Sequence, residues 1–159
     1  MSRKWKRIVA LVLACVTVIC GSNIIYGDEM LPYAYRTGTT TQTFSKSVYV
    51  DMFGEYNGTI TFEYTISGNY TYNASSGEII SAYGTKLVNY YITSTPSGVD
   101  WNLRLNNFTS YSPVVGGNGA YAVYRFSFTI AARPCPGGIP LSDYINVGNV
   151  SSSIRANAQ

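Results

Sequence analysis

The chain contains no histidine, and of its three cysteines only Cys135 lies beyond residue 20. Those two facts remove the Ser-His-Asp and Cys-His nucleophilic devices, the commonest zinc ligand and any cluster of thiolate metal ligands. One conventional catalytic device is left, the carboxylate pair that hydrolyses glycosidic bonds. Its candidates are Asp51, Glu55, Glu63, Glu78, Asp100 and Asp143. Glu63 and Asp100 fall on the wet sides of alternating segments, where Arg104 or Arg125 opposite them would make ordinary cross-strand ion pairs. These acids therefore read as solvating groups. No P-loop, dinucleotide fingerprint or EF-hand loop is present, so neither a cofactor nor a metal is expected. Gly116-Gly117-Asn118-Gly119 leads into a strand pattern with no helix start behind it, and reads as a hairpin loop rather than a phosphate cradle.

What remains is binding. The chain carries 15 tyrosines but few charges, and a tyrosine offers both a flat apolar face and a hydroxyl for stacking on sugars or protein surfaces. Tyr64, Tyr124 and Trp101 fall on the apolar sides of their segments and read as core. Tyr49, Tyr70, Tyr72, Tyr90 and Tyr121 are harder to place inside, and form the candidate aromatic binding surface. Five Asn-x-Ser/Thr sites, at Asn57, Asn69, Asn73, Asn107 and Asn149, follow from the composition and matter only in a host that glycosylates exported proteins.

These side chains must be positioned by strands. Ile60, Phe62, Tyr64 and Ile66 alternate with Thr59, Thr61, Glu63 and Thr65. Val99 to Asn106 and Ala122 to Ala131 alternate in the same way. A period of two gives each segment one buried and one wet face, which favours antiparallel pairing. Strands are expected over 36–43, 45–55, 59–73, 78–94, 99–109, 120–132 and within 144–155. Asn57-Gly58 is the strongest hairpin signal, while Gly68 and Gly84 read as bulges or bends inside long strands. Residues 28–35 read as an extended arm and 133–140 as a Pro/Gly connector. Ser142 is positioned to cap one helical turn through Tyr144. The fold expected is all-β, an antiparallel meander of long strands forming a β-sandwich. A strongly curled sheet or partial barrel is the alternative.

The first 27 residues have a different character. Arg3, Lys4, Lys6 and Arg7 precede an apolar run from Ile8 to Cys20, and Gly21, Ser22 and Asn23 follow. This is the order of a secretory signal, an N-terminal signal helix cleaved after Gly27 or, less favourably, after Ser22. The organisation expected is thus a signal peptide over 1–27 and a single secreted β domain over 28–159, with the leader as an anchor if it stays uncleaved. Removing the leader changes the charge from +3 to near neutral, since 7 basic and 8 acidic residues remain. It also leaves Cys135 as a lone thiol with no internal disulfide partner. No run of Lys or Arg stands in the remainder, which argues against nucleic acid as a partner.

The short leader, then Asp28-Glu29-Met30-Leu31-Pro32, then Ser/Thr/Tyr-rich alternating strands together resemble small secreted β proteins of Gram-positive bacteria. The resemblance covers the layout alone and implies no catalytic residue. The function expected is a secreted, non-catalytic extracellular interaction module that binds a glycan or a protein through a Tyr-rich surface. A secreted toxin or bacteriocin-like effector is the first alternative, and a carboxylate-dependent hydrolase the second. Contact with a membrane is expected only through the leader.

Overall fold

A computed structural model describes residues 34–52, 54–96 and 98–159. The leader and nearly all of the expected arm lie outside the described residues. The order of elements is β1 (Tyr35–Met52), β2 (Tyr56–Asn73), β3 (Ile79–Ser94), β4 (Trp101–Ser110), β5 (Val114–Gly116), β6 (Tyr121–Pro134) and β7 (Ile145–Asn157), with one short 3-10 turn at Pro136–Gly138. Every pairing is antiparallel.

The strands make two sheets. Sheet A has the order β1-β2-β3. In sheet B, β6 is central, with β7 along one edge and β4 then β5 along the other. That arrangement follows from the pairing, because Tyr121–Val123 pair with both β5 and β7, and a strand has only two edges. The sheets pack face to face without closing into a barrel, so the architecture is the sandwich and not its barrel alternative.

The period-two pattern explains the core. From β2 come Ile60, Phe62, Tyr64 and Ile66; from β6 come Ala122, Tyr124, Phe126, Phe128 and Ile130; Val48, Val50, Trp101, Leu103, Val150 and Ile154 are among the others. Burying each large side chain of this kind is worth about 1.5–3 kcal/mol. Aromatic rings fill the centre, with Phe44 stacked on Tyr64 at 5.2 Å and Phe128 meeting Tyr64 edge-on at 5.1 Å, both favourable ring geometries. On the outside of sheet A the same alternation leaves a hydroxyl ladder. Thr43 and Thr65 hydrogen-bond at 2.9 Å, and so do Ser47 and Thr61.

The sheets are also fastened by polar contacts. Tyr124, fully buried on β6, donates its hydroxyl to the Asn69 carbonyl of β2 at 2.7 Å. Its ring lies against Gly68, where any Cβ would overlap it. Thr40 Oγ1 donates to the Arg155 carbonyl at 3.3 Å, and Ile79 N–H to the Gly119 carbonyl at 2.8 Å.

Three expectations are corrected. The first hairpin does not turn at Asn57-Gly58: Asp51 pairs with Asn57 and Val50 with Gly58, so both are already in β2. The chain reverses earlier, between Met52 and Tyr56, through Gly54 at φ +70°. Keeping Val48, Val50 and Ile60 on the same core face requires this register, and a one-residue slip would turn a whole strand inside out. Second, the segments 36–43 and 45–55 are one continuous strand, because nothing between them interrupts the ladder to β2. Third, 142–144 forms no helical turn. Ser142 Oγ instead donates to the Asp143 carbonyl, and the only helical turn among the described residues is Pro136–Gly138. Gly68 and Gly84 do mark irregular pairing, as the β2–β3 register shifts between Ser67 and Asn69, and Gly84 stands at φ +69°.

Candidate functional site

The five tyrosines singled out from the sequence do not come together. Tyr49 is exposed on the outer side of sheet A, near the end of β1, opposite Thr59. Tyr70 is buried, its ring over Gly38 and its hydroxyl accepting from Gln159 Nε2 at 3.1 Å. Tyr72 packs against the core, tilted on Tyr70 at 5.9 Å. Tyr90 is exposed on edge strand β3, opposite Tyr64. Tyr121 is half-buried on the outer side of sheet B beneath the Arg155 guanidinium, 3.9 Å from its ring centroid. Tyrosine is nonetheless well represented at the surface, with Tyr35, Tyr83, Tyr91 and Tyr111 also exposed. Cys135 is buried, its thiol directed at the Arg133 carbonyl at 3.9 Å.

The expected pairing of acids with arginines is absent too. Glu63 belongs to sheet A, between Ser45 and Tyr91, and accepts the Tyr91 hydroxyl at 2.5 Å. That bond raises the Tyr91 pKa, since ionisation would set a phenolate against the carboxylate. Arg104 stands opposite Ala131, and Arg125 opposite Ser153. The side chains that do line a recess are on the outer face of sheet B. Two shallow depressions, of about 400 and 420 Å³, share Tyr111 and Ser151. One adds Arg125, Ser152 and Ser153, and the other adds Asn107, Ser127, Thr129 and Asn149 together with the apolar Phe128 and Val150.

Local folding explains this recess. Asn107 adopts φ +54°, and the β4–β6 ladder is shifted between Asn106 and Thr109. Pro113 has no N–H to give, and β4 stops at Ser110 before β5 starts at Val114. The edge therefore loosens beside β6. Tyr111 is held there by its backbone N–H, which donates to the Arg125 carbonyl at 3.0 Å, and by its hydroxyl, 3.3 Å from Ser127 Oγ. Asn107 Nδ2 donates to Thr129 Oγ1 at 3.4 Å. Half of the Tyr111 surface stays open to solvent (51%). The recess thus presents an aromatic face, a guanidinium and a row of hydroxyls and amides. This is a hydrogen-bonding and stacking surface, with no carboxylate among its lining residues.

Sequence reasoning passed over Tyr111 and read Asn107 and Asn149 only as Asn-x-Ser/Thr sites, because nothing in the alternation marks these three as a shared surface. It also read the remainder as lacking a basic cluster, which the sheet corrects. Arg104 of β4, Arg125 and Arg133 of β6 and Arg155 of β7 all project to the outer face of sheet B, since their ladder partners Ala131, Ser153, Asn102 and Val123 belong to that face. The guanidiniums of Arg104 and Arg133 lie over the Tyr144 ring, at 4.3 and 4.4 Å from its centroid. Among the described residues there is no group of three or more His, Cys, Asp or Glu side chains placed to hold a metal ion. No protein-family model matches the chain, and no curated protein or solved structure matches it.

Proposed function

We propose that this protein is a secreted, non-catalytic interaction module that binds a glycan through the outer face of sheet B. The carrying observation is the recess around Tyr111, where an exposed phenol ring stands beside Arg125, Asn107, Asn149 and Ser151. Sugars present apolar ring faces edged by hydroxyls, and an aromatic face with amide and hydroxyl partners answers both features. The recess is open and shallow, which suits an extended chain better than an enclosed small molecule. The basic and apolar order of residues 1–27 supports export.

A glycan array probed with the domain and with Tyr111→Ala tests this. Binding to a defined set of glycans is expected, and the substitution should weaken it by about tenfold, a loss of roughly 1.4 kcal/mol. Unchanged binding by the variant would move the site elsewhere. A protein partner is a second reading, favoured by the exposed Ile80, Tyr83, Val88, Tyr90 and Tyr91 of edge strand β3. Loss of partner capture on Tyr91→Ser, with glycan binding intact, would favour it.

A further inference from the structure

We infer that the ligand of sheet B is an acidic polysaccharide, an extended chain carrying carboxylate or sulfate groups. This rests on the proposal that the same face binds a glycan, and narrows it to a charged class. Among the described residues there are five arginines, and Arg104, Arg125, Arg133 and Arg155 occupy this one face. Among the described residues, no carboxylate hydrogen-bonds to any of them. The single side-chain hydrogen bond that any of the four guanidiniums makes among the described residues is Arg155 Nε to the neutral Asn157 Oδ1, at 2.9 Å. Arg133 Nε is buried without a hydrogen-bond partner. The carboxylates nearest in sequence, those of Asp100 and Asp143, accept no hydrogen bond from them among the described residues.

Gathering like charges on one face costs free energy, and two features offset it only in part. The Tyr144 ring draws Arg104 and Arg133 over it, and the Tyr121 ring draws Arg155, by attraction of each cation to the ring face. The rings also fix where the Arg104, Arg133 and Arg155 guanidiniums sit, and Arg104, Arg125 and Arg155 are exposed to solvent. A guanidinium in that state is suited to bidentate recognition of carboxylate, sulfate or phosphate.

Their placement suits a polymer. Arg125 and Arg133 are eight residues apart on one strand, which is about 26 Å, and Arg155 lies level with Val123, just beyond Arg125. The Tyr111 recess lies between the two ends of this row. An extended anionic chain could meet Arg155 and Arg125, cross the hydroxyl-lined recess, and reach Arg104 and Arg133. A nucleic acid fits less well, because single-strand platforms stack successive bases on open rings. Here Tyr121 and Tyr144 are covered by arginine, which leaves Tyr111 as the open ring of the row.

The test uses polymers matched except for charge: polygalacturonate against its methyl ester, and dextran sulfate against dextran, with single-stranded DNA as a further polyanion. Affinity is measured by calorimetry or interferometry at several salt concentrations, for the domain and for Arg125→Gln and Arg104→Gln. Binding is expected for at least one charged polymer and at least tenfold weaker for its neutral parent. It should fall with added salt, and each substitution should weaken it about tenfold and flatten the salt dependence by up to about one unit of slope. Preference between polygalacturonate and dextran sulfate identifies carboxylate or sulfate as the group read. Equal, salt-insensitive binding of charged and neutral members would overturn the acidic class while leaving the glycan reading intact. Binding to no polysaccharide at all would overturn both. DNA bound as tightly as any polysaccharide would also overturn the inference, because the face would then be reading charge alone. Arg36→Gln on β1 of sheet A controls for a general charge effect and should leave affinity unchanged.

Discussion

Gly68→Ala should destabilise the domain although a strand normally gains from the exchange. In an unobstructed strand interior, alanine is better than glycine by about 0.5–1 kcal/mol, through the entropy of the unfolded chain. The backbone at Gly68 lies outside the left-handed region, so alanine meets no conformational penalty there. What it meets is the Tyr124 ring, whose Cδ1, Cε1 and Cγ occupy the space of the new methyl group. Tyr124 is fully buried and cannot swing into solvent. Overpacking of this kind costs about 1–3 kcal/mol. Displacing the ring also strains the 2.7 Å bond to the Asn69 carbonyl, worth about 1 kcal/mol net. The losses exceed the gain, and a net destabilisation of about 1–3 kcal/mol is expected. Urea unfolding of residues 28–159, followed by the fluorescence of Trp101, measures it. The same exchange in a Tyr124→Leu background, where the ring is gone, should be neutral or stabilising. If Gly68→Ala unfolds within 0.5 kcal/mol of the parent, or if the Tyr124→Leu background leaves its cost unchanged, the ring contact is not what the glycine is for.

Two further outcomes follow from buried groups. Burial pushes the Tyr124 pKa up to about 12 from an ordinary value of 10.0. Between those values the unfolded chain binds fewer protons than the folded one, so stability falls as pH rises. The Tyr124 contribution is therefore intact below pH 10 and lost as pH approaches about 12. Tyr124→Phe should flatten that alkaline decline in pH-dependent unfolding, and an unchanged decline would place its source elsewhere. Cys135 is only 2% exposed, so a thiol reagent should modify it in the 28–159 domain at the rate of unfolding. Immediate stoichiometric reaction in native buffer, or a reducible dimer on a gel, would contradict that burial.

Much of the fold was legible because side-chain alternation is a strong signal wherever one face of a strand is buried. Ile60 to Ile66 and Ala122 to Ile130 point to the core as their spacing requires. The first turn was misplaced because Asn57-Gly58 satisfies the local rule for a hairpin, whereas register is decided by the cores of two strands together. A three-residue strand such as β5 is too short to show a period, and it exists because the β6 edge continues beyond β4. The site was less legible. Arg104, Arg125, Arg133 and Arg155 are scattered over three strands and become neighbours only once β4 and β7 flank β6. Their expected partners, the acids, could not be assigned to a sheet from the sequence. Glu63 proved to lie in sheet A. The tyrosines that were hard to place inside were divided between both sheets, because a period of two assigns a face but not which sheet the face belongs to.

The central claim is that the outer face of sheet B is the ligand-binding surface. The most direct measurement is a titration of isotope-labelled residues 28–159 with short polygalacturonate or sulfated dextran oligomers, read by amide and arginine side-chain NMR. The account predicts saturable shifts centred on Arg104, Tyr111, Arg125 and Asn149, with the arginine Nε signals among the largest, while the β1 hydroxyl ladder of sheet A stays still. Shifts confined to sheet A, or spread evenly over both sheets, would contradict it.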